Sequence, residues 1–286
     1  MPRCARVQTI SIVTPSLNQA KYLEETLTSV LDQGFGNLEY VAIDGSSTDC
    51  SVDIIKRYGD RLSYWVSEPD RGHADAINKG FGHTSGEIMA WINSSDVYLP
   101  WTLRTVAAVF RDVPEAQWVM GVPSYWSNAH AVTNINPVLR NRYDFLASHR
   151  CTIQQESVFW RRSLWDACGG RLSADLRLAC DHELWMRFFE KAPLFHVDSI
   201  LAAFRPHLDR RGKVQNDGYR SETRATWEHY RSEALLRDLR RAAAIRASDS
   251  RIGRILRNSL RSLGLVSWDR APRIVFDHTL EQWTVG

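Results

Sequence analysis

Long apolar runs are missing from this chain. No apolar run among its 286 residues approaches the ~18 that a membrane-spanning helix needs. The first residues also lack a basic segment followed by an apolar one. The expectation is a cytoplasmic protein that does not span a bilayer. Cysteine is sparse and unpatterned: five residues, Cys4, Cys50, Cys151, Cys168 and Cys180, with no Cys-x-x-Cys pair. An odd, scattered set argues against a disulfide frame or a zinc ribbon and fits free thiols in a reducing compartment. Excess charge is small as well. A net +3 gives no argument for a nucleic-acid partner. Repeats and low-complexity tracts are absent.

The glycine-rich phosphate loops are missing too. A dinucleotide-binding turn needs Gly-x-Gly-x-x-Gly after the first strand, so that backbone amides reach a pyrophosphate. Here that turn reads Pro15-Ser16-Leu17-Asn18-Gln19. No Gly-x-x-x-x-Gly-Lys-Ser/Thr loop occurs either. If phosphates bind, something other than a glycine loop balances their charge.

What is present is a regular alternation. Ile10 to Thr14, Tyr40 to Ile43, Leu62 to Val66 and Ile88 to Ile92 are short β-branched or apolar runs that read as strands. Between them, apolar residues recur at helical spacing from Tyr22 to Leu31, Val52 to Tyr58 and Ala74 to Phe81. Alternation of this kind implies parallel strands joined by right-handed crossovers, an α/β fold with a mostly parallel sheet flanked by helices. The fourth strand stops abruptly in Asn93-Ser94-Ser95-Asp96, and Pro100 opens the next helical pattern. Asp96 is the sole charge there. It is a natural seat for a divalent cation carrying phosphate oxygens, or else a cap for the helix that follows.

After about residue 115 the alternation weakens. Trp118–Val122, Ala131–Ile135, Gln154–Trp160 and Phe195–Phe204 read as strands, and Asp144–Ala147 and Asp181–Phe189 as helices. Beyond His207 a polar loop leads into a long helical pattern from Tyr219 to Ala244. Between Arg237 and Arg261 stand eight arginines against two aspartates, with Ile252, Ile255, Leu256 and Leu260 at helical spacing. The division expected is a nucleotide-binding half (1–115), an acceptor-binding half (116–208) and a helical, basic extension (209–286).

Four stretches together resemble the family 2 glycosyltransferases, inverting nucleotide-sugar enzymes of the GT-A fold. They are Ser11–Asn18, Ile43–Asp49, Asp75–Gly80 and Trp91–Asp96, each ending a strand or opening a helix, and the resemblance spans roughly residues 8–207. It implies that Pro15, Ser16 and Asn18 line the nucleotide and that Asp44 accepts a hydrogen bond from uracil or thymine. Arg71 and Asp75 would close over base and ribose. Ser95 would contact the ribose, and Asp96 would hold Mn2+ or Mg2+. The family's usual ending is Asn-Ser-Asp-Asp, so Ser95 stands where an aspartate is common, which implies weaker metal binding. Asp181, in Asp-His-Glu-Leu-Trp, matches the family's catalytic base, with Glu156 and Glu183 as alternatives. His207, after Arg205-Pro206, matches a histidine that completes the metal shell in several such enzymes, or it is a surface residue.

The resemblance further implies a UDP- or dTDP-sugar donor and a saccharide or lipid-linked saccharide acceptor. A peripheral membrane contact or a homodimer through the basic extension belongs to the same reading. Two other functions compete. A nucleotidyltransferase would carry the missing glycine-rich basic loop, and a non-catalytic binding protein would not need Asp44, Asp96 and Asp181.

Overall fold

The computed structural model describes residues 8–207, 216–248 and 271–286. Strand β1 (Ile10–Ser16) is buried along its whole length, as a strand covered on both faces must be. It pairs in parallel with β2 (Leu38–Asp44) on one side and β4 (Ile88–Trp91) on the other. Strand β3 (Tyr64–Ser67) extends the sheet beyond β2. Helices α1 (Ala20–Leu31), α2 (Ser51–Arg57) and α3 (His73–Gly82) are the crossovers. Gly80 lets α3 lie flush on the sheet, because a Cβ there would sit 2.4 Å from a methyl of Val13.

Strand order reverses between β1 and β4. The chain leaves β1 towards β2 and β3, then returns to the opposite side for β4. It continues through β5 (Val97–Tyr98), α4 (Thr102–Asp112), β6 (Trp118–Met120) and the small hairpin β7 (Tyr125–Trp126) and β8 (Val132–Thr133). Next come α5 (Arg142–Ala147), β9 (Val158–Arg161), α6 (Arg162–Ala167), α7 (Cys180–Lys191), β10 (Phe195–Val197) and β11 (Ala202–Ala203). Helices α8 (Asn216–Glu233) and α9 (Leu236–Ser248) follow, then β12 (Arg273–Asp277) and β13 (Gln282–Val285). The main sheet has nine strands in the order β13-β12-β10-β6-β9-β4-β1-β2-β3. It is mostly parallel. Strand β9 runs against both its neighbours, and β13 runs against β12.

Several elements differ from the sequence reading. Leu62 and Ser63 close a 3-10 turn, so the third strand starts at Tyr64. Residues 155–157 form a 3-10 turn before β9. The run from Phe195 to Phe204 breaks into β10, in the main sheet, and β11, which pairs with β5. The extension is helical in α8 and α9, but its last residues form a hairpin that joins the sheet at β10. Of the basic stretch from Arg237 to Arg261, the described part packs on α5. Asp238 pairs with Arg142, Arg241 donates to the Tyr143 hydroxyl at 2.7 Å, and Ala242 is buried. Residues 249–261 of that stretch, with Ile252, Ile255, Leu256 and Leu260, lie outside the described residues.

The tryptophans mostly fill the core. Trp91, Trp118, Trp160 and Trp185 are fully buried, and Trp185 stacks on both Trp91 and Trp118 at 5.7 Å. Trp165 packs with them, whereas Trp101 is half exposed. Among the described residues no helix is long and apolar enough to cross a membrane.

Candidate active site

A cavity of about 580 Å³ opens at the carboxyl ends of β1 and β4, where the strand order reverses. Open α/β sheets bind ligands at such a switch point, and the volume suits a small molecule. Pro15, Ser16, Ser95, Asp96, Asp181 and His207, six of the residues singled out from sequence, share its wall. Buried polar atoms on that wall, Ser16 Oγ, Gln19 Oε1 and Asn93 Oδ1 among them, have no hydrogen-bond partner among the described residues. Native structures leave few such atoms, and sites are where they concentrate.

Asn18, Asp44, Arg71 and Asp75 are not among the lining residues; they brace the turns behind the wall. The register sets Ser16 opposite Asp44. Asp44 is fully buried and accepts from the Ser47 amide at 2.8 Å, the Ser47 hydroxyl at 2.5 Å and the Ser67 hydroxyl at 2.7 Å. Asn18 adopts a φ of 53° and accepts from the Thr48 amide at 2.8 Å, tying the first turn to the second. Arg71 and Asp75 engage each other. The Arg71 guanidinium donates to Asp75 at 2.9 Å, and this bond holds the Asp75 carboxyl below its ordinary range. Their neighbours Asp70 and His73 face the cavity instead. Gly45 makes room for that loop, since a Cβ there would meet Asp70 Oδ2 at 2.5 Å.

Asp96 does not cap the following helix. Helix α4 starts at Thr102, its N-cap is Trp101, and no side chain caps it. The Asp96 carboxylate instead accepts from the Arg205 amide at 2.9 Å and from Asn93 Nδ2 at 3.1 Å. Arg205 is buried beside it. The guanidinium donates to the Ser95 carbonyl at 2.8 Å and to Glu25 on α1. Glu25 also accepts from Trp126 Nε1 at 2.9 Å and meets His130 Nδ1 at 2.8 Å. Burial alone would raise the Glu25 pKa, but bonds from His130 and Trp126 and the charge of Arg205 outweigh it, and the carboxyl is held low.

Among the described residues no three His, Cys, Asp or Glu side chains gather into a metal cage. Mg2+-like ions at phosphate sites commonly take one or two protein ligands and complete their shell with phosphate oxygens and water. Asp96 and His207 share the cavity wall. Asp96 is a fully buried carboxylate, and a carboxylate has about four lone-pair directions to share between N–H donors and an ion. The donor set fits such an ion.

Asp181 sits in the first turn of α7 and lines the same cavity. It is not the cap of its helix. The N-cap is Ala179, which has no side-chain cap. The N-cap amide and the two before it are held from a distance by Glu222 on α8. Its carboxylate accepts the amides of Arg177, Leu178 and Ala179 at 3.2, 2.9 and 2.9 Å. Asp181 accepts from the His182 amide at 2.7 Å. Of the alternative bases, Glu156 lines the cavity and is buried, with Gln154 donating to it. Glu183 is held in place: Arg187 donates to it at 2.7 and 2.8 Å, and Tyr230 donates to it at 3.2 Å.

The family model for glycosyl transferase family 2 matches residues 11–165. That is more than half of the chain. This chain belongs to glycosyl transferase family 2. An uncharacterized glycosyltransferase of Rickettsia typhi is 23% identical over 210 residues, covering 69% of this chain and 64% of the relative. The chain therefore spans less than two thirds of that relative's length. Among solved structures, S. aureus TarS 1-349 in complex with UDP-GlcNAc superposes with a TM-score of 0.65 at 17% identity, covering 90% of this chain and 76% of that one. Glucosyl-3-phosphoglycerate synthase from Mycobacterium tuberculosis, in a complex with Mn2+, UDP and glucosyl-3-phosphoglycerate, gives a TM-score of 0.52 at 18% identity, covering 79% and 80%. At these identities the likeness is one of fold, and both neighbours are GT-A transferases.

The family 2 match stops at residue 165, yet the cavity draws on residues beyond it. Asp181 and His207 come from there, as do Arg177, Leu178 and Tyr219. Sequence reasoning missed Glu222, Glu25, Arg205, Gln155, Arg140 and Arg177. Gln155 links the Trp91 carbonyl at 2.6 Å to the Asn93 amide group at 3.1 Å. No local motif marks these residues, since their partners are distant in sequence.

Proposed function

We propose that this chain transfers a sugar, with inversion, from a UDP- or dTDP-sugar to a hydroxyl of a saccharide or lipid-linked saccharide acceptor. The observation that carries the reading is that Ser16, Asp96 and Asp181 share one cavity at the strand-order switch. The donor half would be residues 1–115, the acceptor half 116–208, and the extension 209–286 would complete the acceptor wall. Pro15, Ser16 and Ser95 would hold the nucleotide. Asp44 would set the shape of the base-binding turn and accept from the base edge, with Asn18, Arg71 and Asp75 bracing that side. The bound neighbours named above support a UDP donor and a divalent cation.

In the reaction proposed, Asp181 removes the acceptor hydroxyl proton. That oxygen attacks the anomeric carbon from the face opposite the diphosphate. The new C–O bond forms as the old one breaks, and the nucleoside diphosphate leaves with the electron pair. A divalent cation held by Asp96 and His207 would supply charge neutralisation to the departing diphosphate. Buried Arg205 keeps Asp96 aimed into the cavity through its amide. The working site would be cytoplasmic, at the inner membrane face if the acceptor is lipid-linked.

A thermal-shift screen tests the reading. Bound ligand stabilises the folded chain. UDP with Mn2+ is expected to raise the melting temperature more than either alone, and a UDP-sugar is expected to be slowly hydrolysed. Equal shifts with UDP and with buffer, and no hydrolysis of any sugar nucleotide, would remove it.

A further inference from the structure

The cavity wall has four acidic side chains with assigned work. Asp96 receives the Arg205 amide, Asp70 receives the Gly72 amide at 2.8 Å, Glu156 receives Gln154, and Asp181 is the proposed base. Among the described residues, the cationic side chains of Lys or Arg type on the wall are Arg140 and Arg177. Among the described residues neither guanidinium is in an ion pair, although the Glu222 carboxylate accepts the Arg177 backbone amide at 3.2 Å. Other arginines nearby are committed. Arg205 pairs with Glu25, Arg71 with Asp75, Arg142 with Asp238 and Arg187 with Glu183.

The two uncommitted arginines are held by fixed backbone. The amide and carbonyl of Arg140 lie 3.0 and 2.8 Å from Nε2 of buried His196. The next residue, Asn141, caps α5 in a reciprocal box with Asp144. The Arg177 amide is one of the three gripped by Glu222. The Phe145 ring of α5 stacks on the His182 ring of α7 at 5.1 Å, so the starts of the two helices lie side by side. Arg140 precedes one start and Arg177 the other, and Asp181 lies four residues beyond Arg177. The pair therefore sits on the wall around the proposed base. The nucleotide residues Pro15, Ser16 and Ser95 come from the ends of β1 and β4.

We propose that Arg140 and Arg177 form an anion subsite for the acceptor, which carries a phosphate or carboxylate close to the hydroxyl that is glycosylated. The proposal rests on the transferase reading above. A neutral acceptor closing this wall would take water from the partly buried Arg140 and the exposed Arg177 without supplying an anion to pair them, which is costly. An oxyanion accepts charge-assisted, bidentate bonds from such groups and is held in one orientation. That orientation would present the neighbouring hydroxyl to Asp181.

The test uses the full chain and two matched pairs of probes, with binding read by calorimetry or NMR titration. One pair is glycerol 3-phosphate and glycerol; the other is methyl glucuronide and methyl glucoside. Each is titrated with and without saturating UDP and Mn2+. At least one charged probe is expected to bind about tenfold or more tighter than its neutral partner. Arg140→Gln and Arg177→Gln should each remove most of that preference, and Arg140→Lys and Arg177→Lys should keep part of it. Preference for the phosphate alone names a phosphorylated acceptor, and preference for the glucuronide alone names an acidic sugar. Equal binding within both pairs would overturn the subsite. So would a preference that survives both glutamine variants, or variants that lose UDP affinity while keeping the preference, since the arginines would then serve the donor. If UDP fails to bind the wild type, the transferase reading falls, and the nucleotide-free titrations still decide the subsite.

Discussion

Glu222→Ala separates the helix cap from the chemistry. In the folded chain the Glu222 carboxylate accepts three amides at the start of α7, at 2.9 to 3.2 Å. Ala179 offers no side chain to replace it. Losing a helix cap costs about 0.5–2 kcal/mol. Hydrogen bonds to a charged group contribute about 1.5–3 kcal/mol each when sheltered. Glu222 is half-buried and the Arg177 bond is exposed, so water recovers part of the loss. A net destabilisation of about 2 kcal/mol is expected, a fall of roughly 4–8 °C in melting temperature at the scale of ~2–4 °C per kcal/mol. Asp181 follows Ala179 by two residues, so loosening the first turn moves the proposed base. Small misplacements of a reacting group are expensive, and kcat for nucleotide release should fall by about tenfold or more with donor KM unchanged. Glu222→Gln keeps one carbonyl acceptor and should lose about half as much stability, on the order of 1 kcal/mol. Urea unfolding and steady-state kinetics read the two effects separately. A variant as stable and as fast as the wild type would refute the cap. A variant that is less stable but equally fast would show that Asp181 is positioned by other contacts.

Asp96→Asn keeps the size of the side chain but not its charge, and should abolish the Mn2+-dependent part of UDP binding; wild-type calorimetry from the variant would remove the metal assignment. Asp181→Asn should lower kcat by several orders of magnitude with donor affinity nearly unchanged, and retained activity would move the base to Glu156. Asp44→Asn should weaken UDP more than GDP, because the two bases present different edges; tighter binding of GDP than UDP to the wild type would overturn the base assignment. His182 and His196 are both pushed down to about 4 by burial. The unfolded chain then binds more protons between about pH 6.5 and 4, so stability falls as pH drops through that window. His182→Phe should flatten the decline between pH 7 and 5 in urea titrations, and an unchanged slope would contradict the buried neutral imidazole.

The parallel half of the sheet was legible because its strands are uninterrupted apolar runs. Ile10 to Thr14, Tyr40 to Ile43 and Ile88 to Ile92 are buried along their whole length. Direction was less legible. The reversal of β9 depends on how the chain returns through Gln154–Ser157, which local pattern does not encode. The closing hairpin was missed although Arg-Ile-Val-Phe-Asp is a fair strand signal, because the arginine-rich run before it set the reading of the whole extension. At the site, Asp96, Asp181 and His207 were legible as chemistry-bearing ends of elements. Their supports were not. Glu222 reaches across 43 to 45 residues, and Arg205 reaches Glu25 across 180. Arg71 and Asp75 were legible as a motif, yet their mutual bond turns them away from the wall that Asp70 and His73 occupy.

The charges around Asp96 explain how the site tolerates a serine at position 95. Arg205 is buried within bonding distance of the Ser95 carbonyl, and its amide holds Asp96. A lone guanidinium there would cancel the Asp96 charge and repel a cation. Glu25 prevents that by pairing with it from α1, and the bonds from His130 and Trp126 keep Glu25 ionised against the cost of burial. Asp96, Arg205 and Glu25 then sum to a single negative charge. A buried charge persists only when it is compensated. In the reaction proposed above, that surplus would favour one divalent cation once a diphosphate supplied the other ligands. The bond from Trp126 and the contact with His130 make this balance depend on the β7–β8 hairpin, which lies outside the parallel half of the sheet. The hairpin and the loop that carries Asp96 are thus joined by electrostatics as well as by packing.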